Sequence, residues 1–322
     1  MSTKAIKGTV CILGGTGFIG RRLAARLGPD GYDLVIPTRS RQRHRELLVL
    51  PSVNLIEANI HDPVALNAAV AGCDAVINLV GVLNNSRRPQ HGFHAAHVGL
   101  VNELTQACRQ QGVNRLLQMS ALKANAERGP SDYLRTKGQG EAALKANGDD
   151  IAWTIFQPSV VFGPEDAFIN RFAKLLTMTP VFPLARPNAR FAPVYVEDVV
   201  DAFCRALSDP NTAGQTYELC GPQIYSLREI TEFICKALNI KRTTIGLPDS
   251  LSRIQAWFCE WLPGKPFSVD NFRSLTVNSI CSDSGFQKLK LKPRPMDIIV
   301  PRYLRELSQS DLLDDLRQTA GR

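Results

Sequence analysis

The 322-residue chain lacks several features at once, and each absence removes a class of function. No run reaches the roughly eighteen apolar residues a helix needs to cross a bilayer, so no membrane span is expected. No C-x-x-C pair occurs: eight cysteines stand apart at 11, 73, 108, 204, 220, 235, 259 and 281. Several lie on apolar faces, and thiols scattered in this way read as buried free cysteines in a reducing compartment, not as a disulfide framework. Zinc-finger spacing and aromatic-glycine RNA motifs are missing too, which leaves nucleic acid the weakest of the anionic partners for a chain of net charge +8. There is no internal repeat and no low-complexity tract. The first residues, Met1-Ser2-Thr3-Lys4, run almost at once into an apolar strand, so no signal peptide is expected and a cytoplasmic location is.

What is present is ordinary in amount and informative in order. An apolar content of 44% and a charged content of 21% describe a soluble globular protein, long enough for one large or two smaller domains. The positive balance suits phosphates, an anionic membrane surface or an acidic protein, and also occurs with no such partner.

The first half alternates short apolar strands with helices. Strands are expected at 9–13, 33–37, 53–57, 75–80, 115–120 and 151–156. Helices are expected at 21–27, 63–71, 93–111 and 132–146, the second opened by Asp62 as N-cap with Pro63 behind it. This alternation predicts an α/β fold, a doubly wound parallel sheet with right-handed crossovers, over 1–164. After Pro164, proline and aromatic residues crowd together and the alternation stops. A smaller mixed domain on the substrate side is expected over 165–322, with 194–209 packing back on the first. Within it Glu197–Leu207 is an amphipathic helix, and Ser226 to Glu229 is a capping box opening another. The last dozen residues read as a frayed polar end.

The organising motif is Gly14-Gly15-Thr16-Gly17-Phe18-Ile19-Gly20, set between the first strand and the first helix. Gly14 permits the tight turn, Gly17 admits a pyrophosphate to the backbone, and Gly20 lets helix and strand approach. The helix N-terminus offers free N–H groups and partial positive charge to phosphates. Thr16, Phe18 and Ile19 belong to the same cofactor contact. An acidic residue at the end of the second strand would take ribose hydroxyls. This chain has Arg39 there, nineteen residues after Gly20, with Ser40 beside it and Arg43 a possible helper. A guanidinium at that position matches a 2′-phosphate, so NADP(H) is expected over NAD(H). Arg41, Arg43 and Arg45 read as a solvated face.

Tyr133 and Lys137 are four apart on a predicted helix and share one face. A phenol is a poor acid/base at neutral pH unless a nearby cation favours phenolate, and Lys137 supplies one while holding the nicotinamide ribose. Ser120, at the end of the fifth strand, is placed to donate to a substrate carbonyl.

The chain resembles an extended, or atypical, short-chain dehydrogenase/reductase. Within that superfamily it is similar to the group around the NAD(P)-binding accessory Rossmann subunit of respiratory complex I and its bacterial relatives. The resemblance covers about 8–305. It rests on the glycine turn, Arg39, Ala58–Asp62, Asn78–Gly81, Tyr133 with Lys137, Gln157–Asp166 and Val194–Val200. It implies that Asn59 and Ile60 border the adenine, that Leu79, Val80 and Gly81 line the pyrophosphate and ribose, and that Pro158, Ser159 and Val160 sit by the nicotinamide. Two departures matter: many members carry aspartate at Asn59, and arginine at Gln157, which weakens any transfer of sugar-nucleotide epimerase specificity.

Other features read as structural. His91, His94 and His97 recur every third residue with no cysteine or carboxylate to complete a metal set, so a solvated or partly buried helix face is expected and no metal. Leu251, Ile254, Trp257, Phe258, Trp261 and Leu262, before Pro263-Gly264, form an aromatic stripe expected to pack in a core or lid, with a hydrophobic substrate pocket or a membrane surface as the alternatives. Lys288 to Lys292 reads as a solvated strand edge. Two functions fit. One is an NADP(H)-dependent oxidoreductase in which Tyr133 moves the proton, Lys137 tunes it, Ser120 orients a carbonyl, and hydride passes at C4 of the nicotinamide. Its substrate is expected to be a hydrophobic carbonyl, alcohol or quinone-related compound. The other is a non-catalytic NADP(H)-binding structural, assembly or sensing factor of a respiratory or quinone-processing complex, peripheral on the inner face of a membrane.

Overall fold

A computed structural model describes residues 7–83, 92–262 and 267–304. In chain order the elements begin with β1 (Gly8–Leu13), α1 (Phe18–Leu27), β2 (Tyr32–Thr38), β3 (Val53–Glu57), α2 (Pro63–Val70) and β4 (Ala75–Asn78). They continue with α3 (Leu100–Gln111), β5 (Arg115–Met119), α4 (Asp132–Asn147), β6 (Ala152–Pro158), β7 (Val161–Phe162), α5 (Ile169–Met178), β8 (Val181–Ala185), β9 (Arg190–Phe191) and β10 (Val194–Tyr195). The rest are α6 (Val196–Ser208), β11 (Gln215–Leu219), β12 (Tyr225–Ser226), α7 (Leu227–Ala237), β13 (Thr243–Leu247), α8 (Asp249–Cys259), α9 (Val269–Ser274) and α10 (Gly285–Lys288).

The chain forms two compact units, the first made of the chain up to Pro158 with Glu197–Leu219 and Ser282–Leu291. Seven strands make one sheet in the order β11-β6-β5-β4-β1-β2-β3, every pair parallel. This is the doubly wound α/β fold the alternation predicts. Strands buried on both faces must be apolar throughout, and Cys11, Ile12, Leu13, Val76 and Ile77 are all fully buried. One face of the sheet packs on α2, α3 and α4 through Leu66, Leu104 and Leu144. Chain order reverses between β1 and β4, and at such a switch point the strand ends leave an open crevice. The seventh strand, β11, joins the β6 edge with Tyr217 stacked on Phe156 at 5.9 Å.

The second unit holds Ser159–Val196, Cys220–Cys281 and the chain from Lys292 on. Its strands pair only two by two: β7 with β10, β9 with β12, β8 with β13. Its core is a cluster of Phe162, Ile169, Leu176, Phe191, Ile230, Ile234 and Val300. Two devices fix its helices. Asp166 accepts from Phe168 N and Ile169 N at 2.7 and 2.6 Å at the start of α5, and Ser226 with Glu229 forms the expected capping box on α7.

Three sequence expectations need correction here. Cys220 and Cys281 form a disulfide, leaving six free cysteines. They meet because Gly221 N donates to Ala192 O while Ala192 N donates to Ser279 O, so both flanking segments hang on one residue. The lysine alternation after 287 is not a strand edge: Ser284 caps α10, Leu289 is buried, and Lys288 pairs with Asp283. The aromatic stripe is not core. α8 buries only its small residues Ser252 and Ala256, while Ile254, Trp257, Phe258 and Trp261 face outward.

Candidate active site

The glycine turn is built as a phosphate cradle. Gly14 has φ +75°, and a Cβ there would lie 3.2 Å from Leu79 C and Val80 N, so the turn closes directly on the end of β4. A Cβ on Gly20 would come within 2.5 Å of Gly14 O, which fixes glycine where α1 crosses the turn. Gly17 is the N-cap of α1 and brings no side chain to the first-turn N–H groups, which stay available to an oxyanion. A pyrophosphate therefore fits this end of the sheet. Arg39 is exposed immediately after β2, and its guanidinium has no partner among the described residues. Ser40 begins the following 3₁₀ segment with its hydroxyl making no cap bond, and Arg41, Arg43 and Arg45 are exposed along it. Asn59 is exposed beyond β3, its side-chain oxygen accepting from His61 N at 3.2 Å, and Ile60 packs on the core.

The polar side of the site is set by buried amides at the ends of β4 and β5. Asn78 donates to Gln118 Oε1 at 2.9 Å and accepts from Val80 N at 3.1 Å, while Gln118 donates to Met119 O at 3.0 Å. These bonds fix the two carbonyls that receive Lys137, whose Nζ donates to Met119 O at 3.2 Å and Val80 O at 3.4 Å. Lys137 is 4% exposed, and burial pulls its ammonium down to about 8, opposed in part by the charge of Glu141. It still carries its proton at neutral pH. Tyr133 lies one turn earlier on α4, behind the N-cap Ser131, and is half-buried edge-on to Phe93 and His97. Burial pushes its phenol up to about 12, so at neutral pH it is a proton donor.

Ser120 is buried next to Met119, and its hydroxyl donates to Glu141. Gln157 also donates to that carboxylate, at 2.8 and 2.9 Å. Its burial holds the Glu141 carboxyl above the usual range against these bonds. With its single hydrogen committed to Glu141, Ser120 in this arrangement can accept but not donate. Pro158 ends β6 in unit 1, whereas Ser159 and Val160 belong to unit 2, where Ser159 Oγ donates to Ser279 O at 2.9 Å.

The histidines do not share one environment. His91 lies outside the described residues, and His94 is exposed, but His97 is buried at 2% in a π-helical turn, Ala95–Gly99, before α3. Thr136 gives its hydroxyl hydrogen to Asp132 O at 2.8 Å, so His97 Nδ1–H must donate to Thr136 Oγ1 at 2.9 Å. Its Nε2 then accepts from Val82 N at 3.3 Å, and burial with the nearby Lys137 charge drops the ring to about 2. The imidazole is neutral and of fixed tautomer. Sequence reasoning read His97 as structural and did not single out Glu141, because neither belongs to a catalytic motif. The one signal was Thr136, inside Tyr133-Leu134-Arg135-Thr136-Lys137. No group of three metal-ligating side chains occurs among the described residues.

Residues 10–220 match the model of the NAD dependent epimerase/dehydratase family. The chain belongs to that family. It is 29% identical over 303 residues to subunit 9 of the NADH dehydrogenase [ubiquinone] 1 alpha subcomplex, mitochondrial, of Arabidopsis thaliana, covering 88% of this chain and 74% of the relative. It is 29% identical over 262 residues to a ceramide reductase of Caulobacter vibrioides, covering 77% and 76%. In fold it is similar to UDP-glucuronic acid 4-epimerase from Bacillus cereus, solved with UDP-glucuronic acid and NAD, at a TM-score of 0.73 and 16% identity over 93% and 99% of the two chains. The resemblance to extended short-chain dehydrogenases and the complex I accessory subunit is thereby borne out. So is dinucleotide binding. No helix of the described residues is long and apolar enough to cross a membrane.

Proposed function

We propose that the chain is an NADP(H)-dependent reductase of a hydrophobic carbonyl compound. The observation that carries this is the burial of Lys137, still protonated, on two oriented carbonyls one helical turn from a protonated Tyr133. A buried ammonium with so few partners is costly, and is retained where its charge has work to do. Gly14, Thr16, Gly17 and the N–H groups of Phe18 and Ile19 would hold the pyrophosphate, and Arg39 with Ser40 the 2′-phosphate. Asn59 and Ile60 would border the adenine, Leu79, Val80 and Gly81 the pyrophosphate and ribose, and Pro158 the nicotinamide. The bound nucleotide supplies a hydride. Tyr133 gives the proton to the forming alcohol oxygen, and Lys137 stabilises the phenolate left behind and binds a ribose hydroxyl. The ceramide reductase relative supports an apolar, lipid-like substrate.

Two measurements test this. Tyr133→Phe lowers turnover of an identified substrate by about 10²–10⁴-fold with NADPH binding unchanged, and unchanged turnover refutes the mechanism. Arg39→Ala weakens NADPH binding by about 10–150-fold and leaves NADH binding alone, and an equal loss for both removes the NADP(H) preference.

A second reading has its own observation. Ser120 is turned into Glu141, and the complex I subunit is among the relatives. On that reading the chain holds NADP(H) as a structural or assembly part of a respiratory complex, and nucleotide bound as purified stays inert to carbonyls and quinones.

A further inference from the structure

The second unit has a cleft that the dinucleotide chemistry does not use. Its volume is about 610 Å³, and all its lining residues belong to this unit. Arg186 and Arg228 both line it, with Asp249 the sole carboxylate among the lining residues. Asp249 is already paired with Arg186, whose guanidinium also stacks on Phe272 at 5.3 Å. The Arg186 Nε–H is shut off from solvent and finds no acceptor among the described residues. Arg228, in the first turn of α7, is half-buried, and its guanidinium makes no hydrogen bond or ion pair with any described residue. A guanidinium whose donors no described residue takes up is open to an acceptor that enters the cleft.

The space in front of Arg228 is kept by a glycine. A Cβ on Gly246 would lie 3.0 Å from Arg228 Nη2 and 2.9 Å from Pro187 Cγ, so any larger residue would fill the cleft there. Asn278 adds a neutral donor: its Oδ1 accepts from Arg190 N at 3.1 Å, which leaves its NH₂ group for a ligand. Leu247 and Leu275 supply an apolar wall.

We propose that this cleft binds a small organic anion with a phosphate or carboxylate head. The planar Arg228 fork takes two oxygens of the head side by side, and Asn278 adds a third donor. The excess positive charge fits a head of one or two negative charges. The volume falls in the range of small-molecule sites, about 300–1,000 Å³, so the ligand has an organic body that lies on Leu247, Leu275 and Pro187.

Phenyl phosphate and benzoate are the probes, titrated into the full chain by calorimetry and by NMR of the arginine Nε–H signals. The expected result is a Kd at or below about 1 mM for at least one probe, with the Arg228 signal shifted. Tighter phenyl phosphate assigns a phosphate head, and tighter benzoate a carboxylate. Arg228→Met weakens binding by about tenfold or more, and Gly246→Val does so with both charges retained. Should the methionine variant not fold, Arg228→Lys and the signals of the unaltered chain carry the test. Absence of binding, an Arg228 signal that does not move, or an affinity indifferent to Arg228→Met overturns the proposal. So does binding that NADP⁺ abolishes and Arg228→Met does not, since it then belongs to the glycine turn.

Discussion

The two units deal with apolar surface in opposite ways. In the first, the middle of the sheet is closed: Ile12, Leu13, Val76 and Ile77 have no exposure at all. In the second, Ile254, Trp257 and Phe258 on α8, with Trp261 just beyond it, face outward at 58–67% exposure. The cause is the number of strands that pair. A seven-stranded parallel sheet has two broad faces, and the crossover helices that its connectivity requires cover both. Three two-stranded pairs offer no such faces, so the second unit gathers a side-chain cluster and adds a disulfide closing 61 residues of separation. Both units bury ionisable groups with assigned partners, Lys137, Glu141 and His97 in the first and Asp166 in the second, but the second also leaves Arg228 lining an open cleft.

The largest effect that would break this comparison lies in the closed core. Phe203 on α6 and Phe156 on β6 are fully buried with ring centroids 4.3 Å apart. Phe203→Ala should destabilise the first unit by about 3–5 kcal/mol in denaturant unfolding, through lost burial and the cavity left. A loss under about 1 kcal/mol would mean that the site collapses freely and that the core is less tightly packed than it looks.

His97 sharpens the electrostatic half. Its ring is held down to about 2 from an ordinary 6.5, so the unfolded chain binds a proton that the folded one refuses. Stability from this group is complete above pH 6.5 and falls as the pH drops toward 2. At two pH units below its ordinary value the deficit is about 3 kcal/mol. His97→Gln, which does not titrate, should flatten the fall of unfolding free energy between pH 6.5 and 4.5. A variant as acid-sensitive as the original chain would place the titration elsewhere.

Legibility followed the same division. Six strands, the glycine turn and the Tyr133–Lys137 pair could be read because periodicity and turn chemistry are local, and β1, β3, β4 and β5 are each followed by a helix before the next strand. β11 could not, since Gln215–Leu219 becomes a strand only by pairing with β6. Glu141, Gln118 and His97 were hidden for a related reason: their partners are fixed by the sheet, from 15 to 40 residues away in sequence. The Cys220–Cys281 pair depends on Ala192 bonding both flanking segments, which no spacing reveals. Hydrophobic periodicity did find α8, but periodicity shows only that an apolar face exists, and not that anything within the chain covers it.

That face gives the smallest expected effect and the most direct check on the contrast. Trp257 is 58% exposed and Trp261 67%, and the two rings meet edge to face at 6.3 Å. Side chains so open to water remove little apolar area on folding, and serine and tryptophan have similar helix propensity. Trp257→Ser and Trp261→Ser should therefore each change unfolding free energy by less than about 0.5 kcal/mol. Phe203→Ala, measured alongside, should cost several times more, although phenylalanine is the smaller side chain. If either tryptophan variant instead loses about 2 kcal/mol or more, the stripe is covered in solution, and the second unit closes its core as fully as the first.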